Sequence, residues 1–262
     1  MITSIKNPNI QYIRELLAQK KRRDQAGAFV VEGVRLAEEA LAAQYTPSLA
    51  FFSAQISERG KTLITNLDAK QTAIEEIEAG LLERISDTET SQGLLMVFKK
   101  KEHSPQSIRE PLIVLDQMRD PGNLGTILRS ASAFGFACAI LTPGSVDPFS
   151  PKALRSGMGA QFKLPVFSMN AEEIRRVCKS GGGNQMQIYL ADAQAQKTCW
   201  ESDLSQPLCL IIGSEAFGAE PAMRQIVDAN ILIPMQANNE SLNAAMSASI
   251  LMYEVYRQRK RQ

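Results

Sequence analysis

Five apolar runs in the C-terminal half of the chain set the tightest limit on its fold. They are Leu112 to Leu115, Ala137 to Leu141, Ile188 to Leu190, Leu208 to Ile212 and Ile231 to Ile233. Each is too short for a helix and lacks the polar alternation of a half-exposed strand, so they read as strands covered on both faces, the condition of a parallel sheet. Helical stretches fall between and after them: Asn123 to Phe134 behind Pro121-Gly122, Pro151 to Gly157, Ala171 to Lys179 closed by Gly181-Gly182-Gly183, Pro221 to Val227, and Leu242 to Gln258. Strand and helix in alternation predict an α/β domain.

The N-terminal half predicts a smaller α/β unit. Ile10, Ile13, Leu16 and Leu17 lie on one helical face of a stretch running from Ile10 to Arg23. Strands are expected at Phe29 to Val31, Leu49 to Phe52 and Gly93 to Phe98, and helices at Val34 to Ala43, Ser57 to Asn66 and Ile74 to Leu82. The stretch from Lys99 to Glu110 carries Lys99-Lys100-Lys101, His103 and a proline but no apolar core. It reads as a linker between a domain at 1–103 and a domain at 111–262, or else as a surface loop within one domain.

Charge and composition exclude more than they select. A net charge of +1 over 262 residues does not announce a nucleic-acid binder, yet a neutral total hides local clusters. Between Met1 and Arg23, Lys6, Arg14, Lys20, Lys21, Arg22 and Arg23 face Glu15 alone. That excess suits phosphate contact, centred on Lys20, Lys21, Arg22 and Arg23, or else it is a solvated face. His103 is the single histidine, which removes most mechanisms built on a histidine base or a histidine-ligated metal, and no metal is expected. The four cysteines lack C-x-x-C spacing and read as buried free thiols. With neither a signal peptide nor an apolar run near ~20 residues, the expected location is the cytoplasm.

Ligands of parallel sheets gather beyond the carboxyl ends of the strands. Three strand ends here carry polar, glycine-bearing turns: Asp116 to Gly125, leading into a helix that bears Arg129; Gly213 to Gly218; and Ile233 to Asn243. Neither G-x-G-x-x-G after the first strand nor G-x-x-x-x-G-K-[ST] occurs. A nucleotide-like ligand would therefore be held by backbone groups of tight turns and by apolar walls.

These three segments resemble, in order, the motifs of the SpoU family of RNA ribose methyltransferases. Asn123-Leu124-Gly125-Thr126-Ile127-Leu128-Arg129 is similar to N-x-G-x-x-x-R, Gly213-Ser214-Glu215-Ala216-Phe217-Gly218 to G-x-E-x-x-G, and Ile233-Pro234-Met235 with Glu240-Ser241-Leu242-Asn243 to I-P-M followed by E-S-L-N. Pro151 to Ala160 resembles a further family segment. In the N-terminal half, Ser4 to Pro8, Gly27 to Gly33 and Thr90 to Gly93 resemble a ribosomal-protein-like substrate-binding domain. Two departures stand out: Ala237 occupies a position that is usually glycine, and Ala216-Phe217 replaces small and acidic residues.

The resemblance implies a parallel-sheet domain with a trefoil knot, S-adenosylmethionine as cofactor, a homodimer packed through its long last helix, and methylation of a ribose 2′-hydroxyl in structured RNA. Large-subunit ribosomal RNA is the favoured substrate, with a transfer-RNA substrate or an inactive RNA-binding assembly factor as alternatives. It implies catalytic roles for Arg129, Asn123, Glu215, Ser241 and Asn243, and a cofactor seat on Gly213, Ile233 and Leu242. An arginine is normally protonated, so Arg129 is expected to stabilise an alkoxide, and a role as base stays open. For the dimer face the expectation names Leu242, Met246, Ile250, Leu251 and Met252.

Overall fold

A computed structural model describes residues 1–67, 71–88, 91–180, 185–214, 218–236 and 242–260. The chain divides into two compact units. The first comprises Met1–Glu102 with Phe149–Phe162, and the second His103–Pro148 with Lys163–Gln262.

The first unit begins with helices α1 (Pro8–Ala18) and α2 (Lys20–Ala26), where a single helix from Ile10 to Arg23 was expected. Asn7 starts α1 by accepting hydrogen bonds from the Asn9 and Ile10 amides, with Pro8 at the first helical position. Gln19 then turns extended, at φ −123° and ψ 119°. The break lets Arg23 fold back, and its Nη1 donates to the carbonyl oxygens of Leu16 at 2.6 Å and Leu17 at 3.1 Å. These carbonyls lie at the end of α1, where intrahelical donors run out.

Strands β1 (Ala28–Glu32), β2 (Pro47–Phe52), β3 (Ala73–Glu76) and β4 (Leu94–Lys99) form one sheet in the order β1-β4-β2-β3. β4 is antiparallel to β1 and β2, whereas β2 and β3 are parallel. Side chains alternate between two buried faces. Val30, Phe51, Leu95 and Val97 pack with α1 and with α5 (Ala79–Ile85). Phe29, Ala50, Met96 and Phe98 pack with α3 (Val34–Ala42) and α4 (Glu58–Thr65). The expected helix from Ile74 to Leu82 is instead β3 followed by α5: the open edge of β2 takes Ala73–Glu76 as a partner, and pairing overrides local propensity.

The second face of this sheet is completed from far along the chain. Helix α7 (Pro151–Gly157) and the short turn Ala160–Phe162 carry Leu154 and Phe162 into the core around Phe29. Phe149 and Phe162 lie 4.8 and 5.8 Å from the Phe29 ring, centroid to centroid. These residues fall within the span read from sequence as the C-terminal domain. Their aromatic and aliphatic side chains find apolar cover over β1.

The second unit holds the expected parallel sheet. Strands β5 (Leu112–Leu115), β6 (Cys138–Leu141), β7 (Val166–Ser168), β8 (Gln187–Ala191), β9 (Leu208–Ile212) and β10 (Ala229–Ile231) pair in the order β10-β8-β9-β5-β6-β7, all parallel. β7 was not foreseen: Val166-Phe167-Ser168 is a three-residue edge strand with little apolar signal. The strand expected at Ile231 to Ile233 begins earlier, at Ala229, and leaves Ile233 beyond its end. Helix α8 (Ala171–Lys179) covers one face through Ile174 and Cys178. Helix α6 (Pro121–Ala133) packs on β6 and on the last helix, α10 (Ala244–Arg259). A short helix, α9 (Pro221–Arg224), precedes β10. All four cysteines are buried free thiols, and burial pushes Cys138 up to about 11. No helix among the described residues is long and apolar enough to cross a membrane.

On α10 the apolar residues divide between two faces. Leu251 and Met252 are fully buried, so they belong to this chain's own core and not to the outer face expected of them. Met246, Ile250, Tyr253 and Tyr256 are exposed, and the first three follow a helical stripe at spacings of four and three.

The seat of Arg23 has a measurable consequence. Arg23→Ala leaves the last carbonyls of α1 without their buried donor and is expected to lower stability by about 1–3 kcal/mol. Lys21→Ala, at an exposed position, should stay within about 0.5 kcal/mol of the unsubstituted protein in the same denaturant titration. Equal effects would contradict the structural role of Arg23.

Candidate active site

The site is built from turns at the carboxyl ends of the sheet. β9 ends at Ile212 and the chain turns immediately at Gly213. The Ser214 amide donates to the Gly218 carbonyl and the Gly218 amide to the Ser214 carbonyl, both at 2.9 Å. This closes a tight loop with Gly218 at φ +67°. A Cβ on Gly213 would stand 2.4 Å from the Gly218 carbonyl carbon and 2.5 Å from the Ala219 nitrogen. Those atoms are backbone and have little room to yield, so only glycine fits there.

Asp116, at the end of β5, fixes this loop from beneath. Its carboxylate is almost fully buried. One oxygen accepts from the Thr142 hydroxyl at 2.7 Å, and the other from the Glu220 amide at 2.7 Å. Gln117, in left-handed conformation at φ +51°, also reaches the Glu220 side chain. The ends of β5 and β6 and the loop after β9 are thereby held in one register.

The first and third sequence segments meet through two asparagines. Asp120 caps α6 by accepting from the Asn123 amide at 2.7 Å. The Asn123 side-chain oxygen accepts from Asn243 Nδ2 at 3.2 Å. Asn243 caps α10 with its own oxygen, accepting from the Ala245 and Met246 amides. Farther along the two helices the Ser130 and Ser249 hydroxyls meet at 2.8 Å, and Phe134 packs edge-on against Tyr253.

Between the ends of β8, β9 and β10 and the start of α10 lies a cleft of about 590 Å³. Gly213, Ile233, Leu242 and Asn243, all singled out by sequence, line it together. Ile212, Ile231 and Leu251 extend its apolar wall, and Asp192, Gln194 and Arg224 add polar groups. Sequence reasoning missed those three. The only signal was the place of Asp192 directly after the apolar run that ends β8. The Gln194 amide and the Arg224 guanidinium hold the Asp192 carboxyl below the usual carboxylate range.

Arg129 does not line the cleft. It stands two turns into α6, about 9 Å along the helix axis from Asn123 at the usual rise per residue. It is exposed, and among the described residues its guanidinium has no hydrogen bond or ion pair. Glu215 and Ser241, with Ala216, Phe217 and Ala237, lie outside the described residues.

The basic segment of the first unit is narrower than its sequence suggested. Lys20 and Lys21 are exposed. Arg22 is engaged with Glu15 at 2.7 Å. Arg23 is only 4 % exposed and is spent on α1, so it is not available to a phosphate.

Residues 110–253 match the SpoU rRNA methylase family, and residues 7–96 match the MRM3-like substrate binding domain. The chain is 31 % identical to the 23S rRNA (guanosine(2553)-2′-O)-methyltransferase RlmP of Bacillus subtilis, over 97 % of this chain and 98 % of that protein. It is 30 % identical to the 23S rRNA (uridine(2479)-2′-O)-methyltransferase of Streptomyces viridochromogenes, over 98 % of this chain and 92 % of that one. The crystal structure of the SpoU methyltransferase AviRb from Streptomyces viridochromogenes, in complex with the cofactor AdoMet, matches with a TM-score of 0.90 at 27 % identity, covering 97 % of this chain and 99 % of that chain. The chain belongs to the SpoU rRNA methylase family. The expectation of an RNA ribose methyltransferase that uses S-adenosylmethionine stands with that membership.

Proposed function

We propose that this protein methylates a ribose 2′-hydroxyl of large-subunit ribosomal RNA, in a site made by the cleft and the helix that bears Arg129. The observation that carries the reading is the Asn123–Asn243 contact, which joins α6 to the turn closing the cleft. The cleft suits S-adenosylmethionine by its chemistry: Ile212, Ile231, Ile233, Leu242 and Leu251 offer walls for a flat base, and the turn at Gly213 brings backbone polar groups close. The cofactor supplies a methyl group on a positively charged sulfur.

The protein's share of the work is positioning and electrostatics. A ribose hydroxyl is a weak nucleophile and must lose its proton, or nearly so, while held in line with the methyl carbon. Arg129, exposed and with no bond among the described residues, is assigned to the alkoxide and to the adjoining phosphate, where a fixed cation counts most. Asn123 and Asn243 hold the starts of α6 and α10 together. Glu215 and Ser241 are assigned as the family resemblance implies, Glu215 to Arg129 or neighbouring donors and Ser241 to positioning Arg129 or the ribose.

The N-terminal domain, read as residues 1–103, is assigned to RNA, with Lys20 and Lys21 as its phosphate contacts. A single accessible nucleotide gives too little contact to select one RNA, and a second surface supplies the rest. The stripe of Met246, Ile250 and Tyr253 is assigned to a two-fold interface between copies of this chain, since exposed apolar stripes of this kind mark association surfaces. The cytoplasm is the assigned location.

Arg129→Ala should abolish methyl transfer to ribosomal RNA while S-adenosylhomocysteine affinity by calorimetry stays within a few-fold. An active variant refutes the assignment. Glutamine at Lys20 and Lys21 together should weaken RNA binding and flatten its salt dependence by about one unit of slope per lost contact. An unchanged slope makes the segment a solvated helix end. Light scattering at micromolar concentration should return a dimer for the unsubstituted chain and a monomer for Ile250→Glu. A monomer in both cases contradicts the interface.

A further inference from the structure

We propose that Asp192 receives the two adjacent hydroxyls of the cofactor's own ribose, and so selects a ribonucleoside cofactor. The inference rests on the reading of the cleft as the S-adenosylmethionine site.

Asp192 follows β8 directly and lines the cleft. Its backbone is fixed, because its amide donates to the Ile231 carbonyl at 3.0 Å across to β10. Its side chain is 17 % exposed. One carboxylate oxygen accepts from the Gln194 amide at 3.0 Å, and the other from Arg224 Nη1 at 3.0 Å. Arg224 is itself anchored, with Nε donating to the Ala219 carbonyl at 3.1 Å. That carbonyl lies just past the turn at Gly218, where a Cβ would come within 3.1 Å of Arg224 Nη2. The pair is thus built into the loop that Gly213 and Gly218 shape.

Acceptor capacity and charge together indicate the ligand. An ionised carboxylate has about four lone-pair positions and no donor. Among the described residues two of those positions are used, one on each oxygen. The remaining pair, one per oxygen, matches two neighbouring O–H donors, and a vicinal diol offers that pattern. The Gln194 amide and Arg224 hold the carboxyl below its ordinary range, so it is ionised at neutral pH and can only accept. Its charge is already met by Arg224 at 3.0 Å. A neutralised pair has no surplus charge for a sulfonium or an ammonium group, and neutral hydroxyls remain as the fitting donors. Dinucleotide-binding sheets reach the same solution with an acidic residue near a strand end that binds a ribose hydroxyl.

The test compares S-adenosylhomocysteine with its 2′-deoxy and 3′-deoxy forms by calorimetry, with 5′-methylthioadenosine as the probe that lacks the amino-acid arm. The unsubstituted protein should bind each deoxy form roughly tenfold to a hundredfold more weakly, the worth of a hydrogen bond to a charged group. Asp192→Asn should compress that preference to within about threefold, since a primary amide keeps one acceptor atom and loses the charge. Arg224→Gln should retain most of the preference, because both carboxylate oxygens stay in place. If the unsubstituted protein binds the deoxy forms as tightly as the parent, the proposal fails without any variant. It also fails if Asp192→Asn keeps the full preference, or if it weakens S-adenosylhomocysteine but spares 5′-methylthioadenosine, which would assign the carboxylate to the ammonium group. A protein that binds none of the four compounds overturns the reading of the cleft itself, and this assignment with it.

Discussion

The Asp116 carboxylate is buried at the centre of the second unit's sheet edge and spends both oxygens on neighbours, the Thr142 hydroxyl and the Glu220 amide. Burying such a charge is costly unless it is well hydrogen-bonded. Here the bonds also set geometry. β5 and β6 end in register, and the loop that leaves β9 through Gly213 and Gly218 is pinned at Glu220. The cleft depends on that loop. Its apolar wall comes from strand ends, but its shape comes from a turn that has no room for a Cβ at Gly213. Arg224, which lines the same cleft, hangs from the same loop through the Ala219 carbonyl.

A second set of bonds ties α6 to the turn that lines the cleft. α6 starts at an Asp120 cap and α10 at an Asn243 cap, and the side chains of Asn123 and Asn243 bridge the two starts. The caps fix where each helix begins, and the bridge holds the two starts together. Arg129 itself is exposed and has no hydrogen bond or ion pair among the described residues. In the proposed site that cation would face the developing alkoxide, where a fixed positive group counts most.

Much of this was legible in the sequence. The short, uniformly apolar runs gave the parallel sheet because burial on both faces leaves no room for polar alternation. Strand-end turns pointed to three segments at one sheet edge, the family resemblance singled out Gly213, Ile233, Leu242 and Asn243 within them, and these four line one cleft. Other features depended on tertiary partners that local pattern does not encode. Ile74 to Leu82 looked helical until β2 offered an edge. Arg23 looked like one more surface cation in a basic run, and only the break at Gln19 turned it inward. Phe149, Leu154 and Phe162 looked like part of the second domain, yet the apolar surface over Phe29 claims them. Asp192 and Arg224 carry no motif, and their pairing became visible only when β8 and the loop after β9 were side by side.

The central claim is that the cleft and Arg129 form one site for ribose methylation of ribosomal RNA. The most direct measurement is a map of 2′-O-methylated nucleotides in ribosomal and transfer RNA from cells with the gene, without it, and carrying Arg129→Lys in its place. The account predicts one large-subunit ribosomal nucleotide that loses its methyl group without the gene and stays largely unmethylated with lysine, whose single ammonium does not reproduce the planar guanidinium. Identical maps in all three strains, or a lost methyl group confined to transfer RNA, would contradict it.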